Sequence, residues 1–241
     1  MELKLEKVFE DEALLVVNKP FGLIVNTAET TKNELTVSDW MQKEYQELFA
    51  QSHEEEFKVR RGVVHRLDKD TSGLLLLAKT SDAFFNLKGQ FKERQVEKNY
   101  LALVHGKLEP RSGVVSVPIE RNPFNRKRFG VFLGGREAVT HYQVVKNFDY
   151  QQELFSLVDV YPKTGRTHQI RVHLTHLGHP LVSDILYTGR KNLKSDLQFC
   201  SRMFLHAYFL SFNHPTKKEK LTFQIDLPGE LKAVLKKFES V

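Results

Sequence analysis

The sequence predicts an α+β protein in which strands outnumber helices. Short apolar segments suited to strands recur along the chain, whereas only a few segments show the spacing of an amphipathic helix. The two kinds of segment do not alternate regularly, as they would in a parallel sheet built from βαβ units. With 241 residues, 41% of them hydrophobic, the chain can bury a substantial core.

Two buried strands and one helix are predicted in the first part of the chain. ALLVVNK (13–19) and GLLLLAK (73–79) are apolar segments of strand length, and Pro20 ends the first. TSDAFFNLKGQFKER (80–94) starts with residues that favour a helix N-terminus. Its large apolar residues recur at i, i+3 and i+7, as in an amphipathic helix: Phe84, Leu87 and Phe91.

The later strands are predicted from the same kind of pattern. NYLALVHG (99–106) is a strand that places Tyr100, Ala102 and Val104 on one face. AVTHYQVV (138–145) and LFSLVDVYP (154–162) are predicted to pair across a polar connection, KNFDYQQE (146–153). FLHAYFLSF (204–212) and KLTFQIDL (220–227) are the predicted closing strands.

A second helix is predicted within TGRTHQIRVHLTHLG (164–178). The segment opens with turn residues, Thr167 is the predicted N-cap, and Gly178 is expected to end the helix. Its predicted apolar stripe is Ile170, Leu174 and Leu177.

Composition restricts both the compartment and the class of partner. The single cysteine, Cys200, excludes an internal disulfide framework and a zinc site built from cysteines. The apolar runs are far shorter than the ~20 residues that span a bilayer, so the cytoplasm is the expected compartment. The chain has 36 Lys and Arg against 30 Asp and Glu, a modest excess that is compatible with a polyanionic partner.

Basic residues are concentrated in three short segments, 65–69, 120–130 and 164–171. In ERNPFNRKRFG (120–130) they are interleaved with Phe124 and Phe129, which favours contact with nucleic acid through charge and base stacking. A solvated basic loop is the alternative interpretation of that segment.

Metal and nucleotide sites receive little support from the sequence. His168, His173, His176 and His179 are close together, and the middle two have a spacing at which both can reach one ion. No H-E-x-x-H motif accompanies them, so packing and hydrogen bonding are the favoured roles. The chain also has no P-loop, no G-x-G-x-x-G and no G-x-S-x-G.

The candidate catalytic carboxylate is Asp68 in HRLDKDTSGLLLL. It lies in a polar turn at the entrance to an apolar strand, and a rigid element of that kind can hold a catalytic group in place. The neighbouring Arg66 and Lys69 favour its ionised form, which can act as a nucleophile or a base. Asp70 is the competing candidate, and a turn with a surface ion pair is the non-catalytic alternative.

Arginines near the second predicted helix form a candidate anion site. Arg166 precedes the helix and Arg171 lies within its first turns, where free backbone N–H groups also favour an anion. An internal arginine requires a carboxylate partner, and Asp68 is a plausible one, although an exposed Arg171 is the alternative. Tyr100, near Lys98, can transfer a proton if its hydroxyl lies near such a pair; otherwise it is a core aromatic.

Five segments, in this order, resemble motifs of the RluA-type family of RNA pseudouridine synthases. They are VVNKPFGLIV (16–25), VVHRLDKDTSGLLLLAKT (63–80), KNYLALVHG (98–106), TGRTHQIRVHLTHLGHPLVSD (164–184) and LHAYFLSFNHP (205–215). The resemblance covers nearly the whole chain, and the second and fourth segments are too long for coincidence to explain it.

The resemblance implies a pseudouridine synthase fold, which is a large mixed, mostly antiparallel bent sheet with peripheral helices and a central RNA-binding cleft. Family members break the glycosidic bond of a uridine in RNA, rotate the uracil and rejoin the sugar to carbon 5. They use no cofactor and no metal. The target base is flipped out of its stack, and basic and aromatic contacts offset the cost.

The resemblance also implies roles for individual residues. Asp68 matches the essential aspartate, acting either as nucleophile at the sugar or as base on the ribose, and Arg171 matches the arginine that pairs with it. Tyr100 matches the tyrosine that stacks on the uracil and is the candidate base for the carbon 5 proton. Arg66 matches the residue that occupies the space of the flipped nucleotide, and Lys69 is assigned to the local potential or the RNA backbone. The other predicted RNA contacts are Arg121, Arg126, Lys127, Arg128, Arg166 and His168.

The chain departs from the family pattern in two places. Many members carry a small RNA-binding module before the catalytic domain, but here the motifs begin within twenty residues. Residues 1–241 are therefore predicted to be a single catalytic domain without that module. Where members often have GD..YG, residues 183–188 are SDILYT, which is expected to relax a turn next to the cleft and to affect the contacts of Leu186.

The resemblance, together with the composition, implies a cytoplasmic, monomeric enzyme that acts on ribosomal or transfer RNA and needs no membrane and no obligate protein partner. A catalytically silent RNA-binding or ribosome assembly factor on the same fold is the alternative. The intact set of Asp68, Tyr100 and Arg171 argues against it. Metal-dependent hydrolysis through the histidine-rich segment is a second alternative, and it predicts an activity that chelators abolish.

Overall fold

The computed structural model describes residues 3–27 and 34–239. Within them the strands are β1 (Glu6–Glu10), β2 (Leu14–Lys19), β3 (Ser72–Ala78), β4 (Glu97–His105), β5 (Ser112–Ser116), β6 (Ile119–Arg121), β7 (Phe129–Val131), β8 (Val139–Tyr150), β9 (Glu153–Pro162), β10 (Leu205–Asn213) and β11 (Lys220–Gln224). The helices are α1 (Val37–Glu44), α2 (Gln46–Gln51), α3 (Glu55–Arg60), α4 (Ser81–Lys92), α5 (Gln169–His176), α6 (Arg190–Phe199) and α7 (Gly229–Glu239).

The chain folds as two compact units. The first unit comprises Met1–Glu97 and Phe209–Ile225, and the second comprises Lys98–Tyr208 and Asp226–Val241. Strand β10 contains the point at which the chain passes from the second unit back to the first.

Strands β1, β2 and β3 form the antiparallel framework of the first unit. Leu15 of β2 lies opposite Leu77 of β3, and all seven residues of β3 are buried. The first two predicted strands are thus confirmed as β2 and β3. Continuous burial explains why both segments are apolar throughout rather than alternating.

Helix α4 follows β3 and packs against it. The hydroxyl of Thr80 accepts a hydrogen bond from the Ala83 N–H, which caps the helix as its sequence predicts. Phe84 and Leu87 are buried, whereas Phe91 is partly buried and stacks on the ring of His65 at a centroid distance of 4.4 Å. The amphipathic helix is therefore confirmed.

In the second unit, β4, β9, β8 and β5 pair in that order, and every pairing is antiparallel. Tyr100, Ala102 and Val104 of β4 are all buried, as the alternation of that strand requires. Helix α7 packs against Leu103 of β4 and Phe155 of β9 in an apolar cluster.

The connection predicted for residues 146–153 is wrong. Strands β8 and β9 run to Tyr150 and from Glu153, so only Gln151 and Gln152 form the turn. Both have positive φ, at 53° and 64°, as a type I′ turn requires. The strands continue because Phe148 pairs with Phe155 across them and both rings are buried in the core.

Helix α5 begins later than predicted. Thr167 is not its N-cap, because His168 occupies that position with φ of 56° and makes no side-chain cap. The side chain of Gln169 closes the turn instead, accepting hydrogen bonds from the Thr164 hydroxyl at 2.7 Å and the Arg166 N–H at 3.0 Å. Gly178 has φ of 87° and lies just beyond the helix, as predicted.

The predicted apolar stripe of α5 is only partly correct. Ile170 and Leu174 are buried, whereas Leu177 is 37% exposed. Arg171, Val172 and His173 are also buried, so α5 is enclosed around most of its circumference rather than along one stripe.

The fold is α+β with a large, mostly antiparallel sheet and peripheral helices, which confirms the predicted class. The bend of the sheet, the central cleft and the single catalytic domain stay predictions. No helix in the part of the chain that the structure describes has the length and apolar character needed to cross a membrane.

Candidate active site

Asp68 lies in the turn that leads into β3 of the first unit. Its carbonyl accepts a hydrogen bond from the Thr71 N–H at 3.1 Å, and its side chain is half-buried. Leu67 beside it is buried, and Ser72 begins the fully buried β3. The turn that presents Asp68 is thus anchored on both sides to the core, as expected for a group that must be held rigidly.

The side chain of Lys19, at the end of β2, is hydrogen-bonded to the turn that carries Asp68. Its side chain is 0% exposed, and Nζ donates hydrogen bonds to the carbonyls of Pro20 at 2.9 Å, Leu23 at 2.8 Å and Lys69 at 3.2 Å. The Lys69 carbonyl also accepts the Gly22 N–H at 2.9 Å. The buried ammonium therefore ties the turn after β2 to the residue that follows Asp68.

The other charged residues of the Asp68 turn face outward. Arg66 and Lys69 are exposed, and the Lys69 ammonium pairs with Glu34 at 2.5 Å. A surface pair of this kind contributes little to stability, so Lys69 can exchange partners with little loss. Both residues are accessible to a polyanion.

His65, by contrast, is fixed within the first unit. Its Nε2 accepts a hydrogen bond from the Leu76 N–H at 2.9 Å, and its ring stacks on Phe91. Nε2 is therefore the acceptor nitrogen of the ring, and the histidine links β3 to α4.

Tyr100 lies on β4 of the second unit, opposite Val160 of β9, and its side chain is buried. Lys98, two residues earlier, donates to the Pro162 carbonyl at 3.0 Å. Burial, together with the charge of Lys163, lowers the pKa of Lys98 to about 8. An amine with that pKa is partly neutral at the upper end of the physiological range.

Arg171 is locked by a buried ion pair with Asp184. Its Nε and Nη2 donate to the two oxygens of Asp184 at 2.7 and 2.8 Å, and the side chains are 3% and 0% exposed. Arg171 is therefore internal rather than exposed, and the carboxylate beside it is Asp184, which the sequence did not identify. The predicted pairing of Arg171 with Asp68 joins residues of different units and stays a prediction.

The turn that carries Asp184 is not relaxed, contrary to expectation. Ser183, where the family that the sequence resembles often has glycine, adopts φ of 58° and is buried. Its N–H donates to Asp196 at 2.7 Å and its hydroxyl to the Cys200 carbonyl at 2.6 Å. These bonds hold a conformation that glycine adopts more readily.

Asp184 also closes its own turn. Its Oδ1 accepts the N–H groups of Leu186 at 2.9 Å and Tyr187 at 3.2 Å, in addition to the Nη2 of Arg171. One carboxylate thus fixes both the guanidinium of Arg171 and the position of Tyr187.

The basic segment 120–130 forms a hairpin with β6 and β7 as its strands. The Asn122 side chain closes the tip by accepting the N–H groups of Phe124 and Asn125. Phe124 is 94% exposed, and Arg126 and Lys127 are also exposed. The tip therefore offers two cations and one unburied ring to a partner.

Two arginines of the hairpin are instead held by the protein. The Nη1 of Arg121 donates to the Arg126 carbonyl at 2.6 Å, and its guanidinium lies 4.8 Å from the Phe129 ring centroid. The guanidinium of Arg128 lies 5.7 Å from the ring centroid of Tyr187. Both contacts stabilise the hairpin, so these residues have structural roles whether or not they contact RNA.

Arg166 and His168 flank the start of α5. The Nε of Arg166 donates to the Glu137 carbonyl at 2.9 Å, and Nδ1 of His168 lies 2.9 Å from the hydroxyl of Tyr187. The second unit therefore brings together Arg171, His168 and the basic hairpin, whereas Asp68, Arg66 and Lys69 belong to the first unit.

The other three histidines of the segment 168–179 lie in different environments. His173 is buried, with Nδ1 2.8 Å from the Thr140 hydroxyl and Nε2 3.2 Å from the Val117 carbonyl, and burial lowers its pKa. His176 is exposed, and His179 contacts the His105 carbonyl at 2.8 Å. Among the residues that the structure describes, no group of three His, Cys, Asp or Glu side chains is arranged to hold a metal ion.

Comparison with known sequences gives matches over most of the chain. Residues 13–176 match the family model described as RNA pseudouridylate synthase. A ribosomal large subunit pseudouridine synthase D from Nitrosomonas europaea is 39% identical over 237 residues, which cover 97% of this chain and 65% of that protein. An RNA pseudouridine synthase from Aquifex aeolicus, described as uncharacterized, is 40% identical over 231 residues, covering 94% of this chain and 71% of that one.

Solved structures give a similar result. Human RNA pseudouridylate synthase domain containing 1 superimposes with a TM-score of 0.74 at 28% identity, covering 97% of this chain and 90% of that one. Human RNA pseudouridylate synthase domain containing 4 gives a TM-score of 0.72 at 26% identity. The chain spans about two thirds of the length of the Nitrosomonas relative.

Proposed function

Because the chain belongs to the RNA pseudouridylate synthase family, we propose that it isomerises uridine in RNA to pseudouridine, with Asp68 as the essential carboxylate. The observation that carries the proposal is the extent of the family match, which includes Asp68, Tyr100 and Arg171 within residues 13–176. The anchoring of the Asp68 turn to β3 and to Lys19 supports it further.

The proposed reaction is an isomerisation in which atoms and electrons balance without a co-reactant. The bond from the ribose C1′ to N1 of uracil breaks, the uracil rotates, and a bond from C1′ to C5 forms. C5 loses its proton and N1 gains one. Asp68 acts either as a nucleophile at C1′ or as a base on the ribose, and both roles require the ionised carboxylate.

Tyr100 and Arg171 are proposed to complete the site. Tyr100 stacks on the uracil and serves as the candidate base for the C5 proton. Arg171 stabilises the carboxylate of Asp68 while Asp184 keeps its guanidinium in place. The bidentate contact to Asp184 uses Nε and Nη2. A guanidinium has five N–H donors in all, so further contacts are compatible with that pair.

RNA is proposed to bind through the outward-facing cations of both units. In the first unit these are Arg66 and Lys69, and in the second they are Arg126 and Lys127 of the hairpin tip. Arg121, Arg128, Arg166 and His168 stay candidate contacts with structural bonds of their own. Each phosphate contact adds to the salt dependence of RNA affinity.

The proposed substrate is large-subunit ribosomal RNA, since the Nitrosomonas relative is named for it. Transfer RNA is the other outcome that mapping distinguishes. We place the protein in the cytoplasm and treat it as a monomer that needs no metal, cofactor or obligate protein partner.

The direct test is to delete the gene and map pseudouridines across cellular RNA. Specific sites are expected to disappear and to return with a plasmid carrying the wild-type gene. Asp68→Ala should fail to restore them, whereas the matched variant Asp70→Ala, which removes the neighbouring carboxylate, should restore them. If no site depends on the gene, or if Asp68→Ala restores every site, the proposal is wrong. A catalytically silent RNA-binding factor would give the first of these results.

A further inference from the structure

The hydroxyl of Tyr187 makes contacts that the catalytic scheme above does not use. It lies 2.9 Å from the Phe129 nitrogen, 3.2 Å from the Phe129 carbonyl oxygen and 2.9 Å from Nδ1 of His168. A hydroxyl has one proton and two lone pairs. All three bonds form together when the hydroxyl donates to the carbonyl and accepts from the Phe129 N–H and from a protonated Nδ1 of His168. Tyr187 thereby binds both backbone groups of the first residue of β7.

The ring of Tyr187 makes a second set of contacts. The guanidinium carbon of Arg171 lies 5.1 Å from the ring centroid, and that of Arg128 lies 5.7 Å from it. Both distances fall within the range of cation–π attraction. One side chain thus contacts the candidate catalytic arginine and a cation of the basic hairpin at the same time.

The backbone of Tyr187 is fixed by the ion pair that holds Arg171. Its N–H donates to Oδ1 of Asp184 at 3.2 Å, and the same oxygen accepts from Nη2 of Arg171 at 2.8 Å. Asp184 is 0% exposed, so these bonds lie away from water, where a hydrogen bond is stronger. A shift of β7 would therefore reach Arg171 through the ring and through Asp184.

We propose that Tyr187 is a positioning residue that couples the RNA-contacting hairpin of β6 and β7 to the guanidinium of Arg171. RNA that engages the exposed tip at Arg126 and Lys127 fixes β7, and the Tyr187 hydroxyl transmits that fixed position to Arg171. The inference rests on the proposed function, since it assigns Tyr187 a role within the same site.

The contacts distinguish positioning from RNA binding. The hydroxyl of Tyr187 has its hydrogen-bonding capacity taken up by Phe129 and His168, whereas the tip that carries Arg126 and Lys127 is exposed. Loss of the hydroxyl should therefore leave RNA affinity nearly intact and slow the chemical step. Loss of a tip cation should instead weaken RNA affinity.

The test compares three purified full-length variants with the wild type. Tyr187→Phe removes only the hydroxyl, Arg126→Ala removes a tip cation, and Tyr150→Phe is a matched control that removes a hydroxyl at the far end of the β8–β9 hairpin. For each variant we measure the dissociation constant for a ribosomal RNA transcript, the single-turnover rate constant at saturating RNA, and the melting temperature.

Tyr187→Phe is expected to lower the single-turnover rate constant about 10-fold, the effect of losing a bond or two at a positioned group, with affinity changed less than about twofold. Arg126→Ala is expected to weaken affinity several-fold, and Tyr150→Phe is expected to match the wild type in both rate and affinity.

Three results would overturn the inference. One is a Tyr187→Phe rate constant equal to that of the wild type, and another is a loss of affinity without a loss of rate. The third is a fall in rate that follows only from unfolding, seen as a lowered melting temperature and a reduced active fraction. If the wild type is active and any of these results is found, the inference about Tyr187 is wrong and the proposed function still holds. A wild type that isomerises no RNA, with its transcripts taken from the mapped target, contradicts the proposed function as well.

Discussion

The buried ammonium of Lys19 gives a prediction in which the structure sets the magnitude. Lys19→Met keeps a long unbranched side chain but removes the charge and its three hydrogen bonds to carbonyls. Bonds from a charged donor contribute about 1.5 kcal/mol or more each, so the gross loss is ~4–5 kcal/mol. Methionine avoids the desolvation of a buried cation, which offsets part of that loss.

We therefore expect a net destabilisation of ~2 kcal/mol, or about 5 °C in melting temperature for a chain of this length. The effect on catalysis should be larger. The Lys69 carbonyl loses its bond to Lys19 and retains the one from Gly22, so the turn next to Asp68 is held less firmly and can shift. A displacement of about 1 Å at a catalytic group typically lowers the rate ~100-fold.

The assay is the single-turnover rate on target RNA, measured well below the melting temperature of the variant. Lys92→Met is the matched control, since Lys92 is exposed at the end of α4 and the substitution removes the same charge. A Lys19→Met protein that is less stable but isomerises RNA at the wild-type rate would refute the idea that Lys19 positions the Asp68 turn.

Two further predictions concern stability. Gly62 has φ of 74°, and a Cβ there would lie 2.1 Å from the Ala78 carbonyl oxygen, so Gly62→Ala should destabilise the protein by more than ~2 kcal/mol in urea titrations. Gly89→Ala, in the open middle of α4, should instead stabilise it by ~0.5–1 kcal/mol, and equal effects at the two glycines would contradict the backbone account. Lys98 has a pKa of about 8 in the folded protein, below its unfolded value, so the cost of its buried charge is present below pH 8 and is lost as the pH rises towards 10. The free energy of unfolding of Lys98→Met should therefore exceed that of the wild type by ~1–2 kcal/mol at pH 7, and this difference should shrink by pH 9.5. A difference that does not vary with pH would contradict the lowered pKa of Lys98.

Short sequence patterns were sufficient to predict the strands and the helix whose apolar residues or caps lie within one segment of the chain. Strands β2 and β3 are continuous apolar runs because both faces are covered, and α4 carries its own cap at Thr80. The hairpin turn at Gln151 and Gln152 was missed because neither residue is typical of positive φ. The packing of Phe148 against Phe155 across the two strands outweighs the preference of glutamine for negative φ. Residue propensities do not include such contacts between strands.

The site was predictable only where a residue type suggests its own chemistry. Asp68 is an acid among bases before a buried strand, and that pattern is visible in the chain. Lys19 contacts a carbonyl 50 residues away, so its role depends on the paired register of β2 and β3. Asp184 was missed as the partner of Arg171 because choosing among carboxylates requires the positions of α5 and the following turn.

The central claim is that Asp68 is required to exchange the glycosidic bond from N1 to C5 of a uridine. The measurement that tests it most directly is tritium release from target RNA labelled at C5 of its uridines, since C5 loses its hydrogen only when the new bond forms. The wild-type protein and Asp70→Asn should release tritium from the target uridine, and Asp68→Asn should release no more than RNA alone. Release by Asp68→Asn at the wild-type rate would contradict the account.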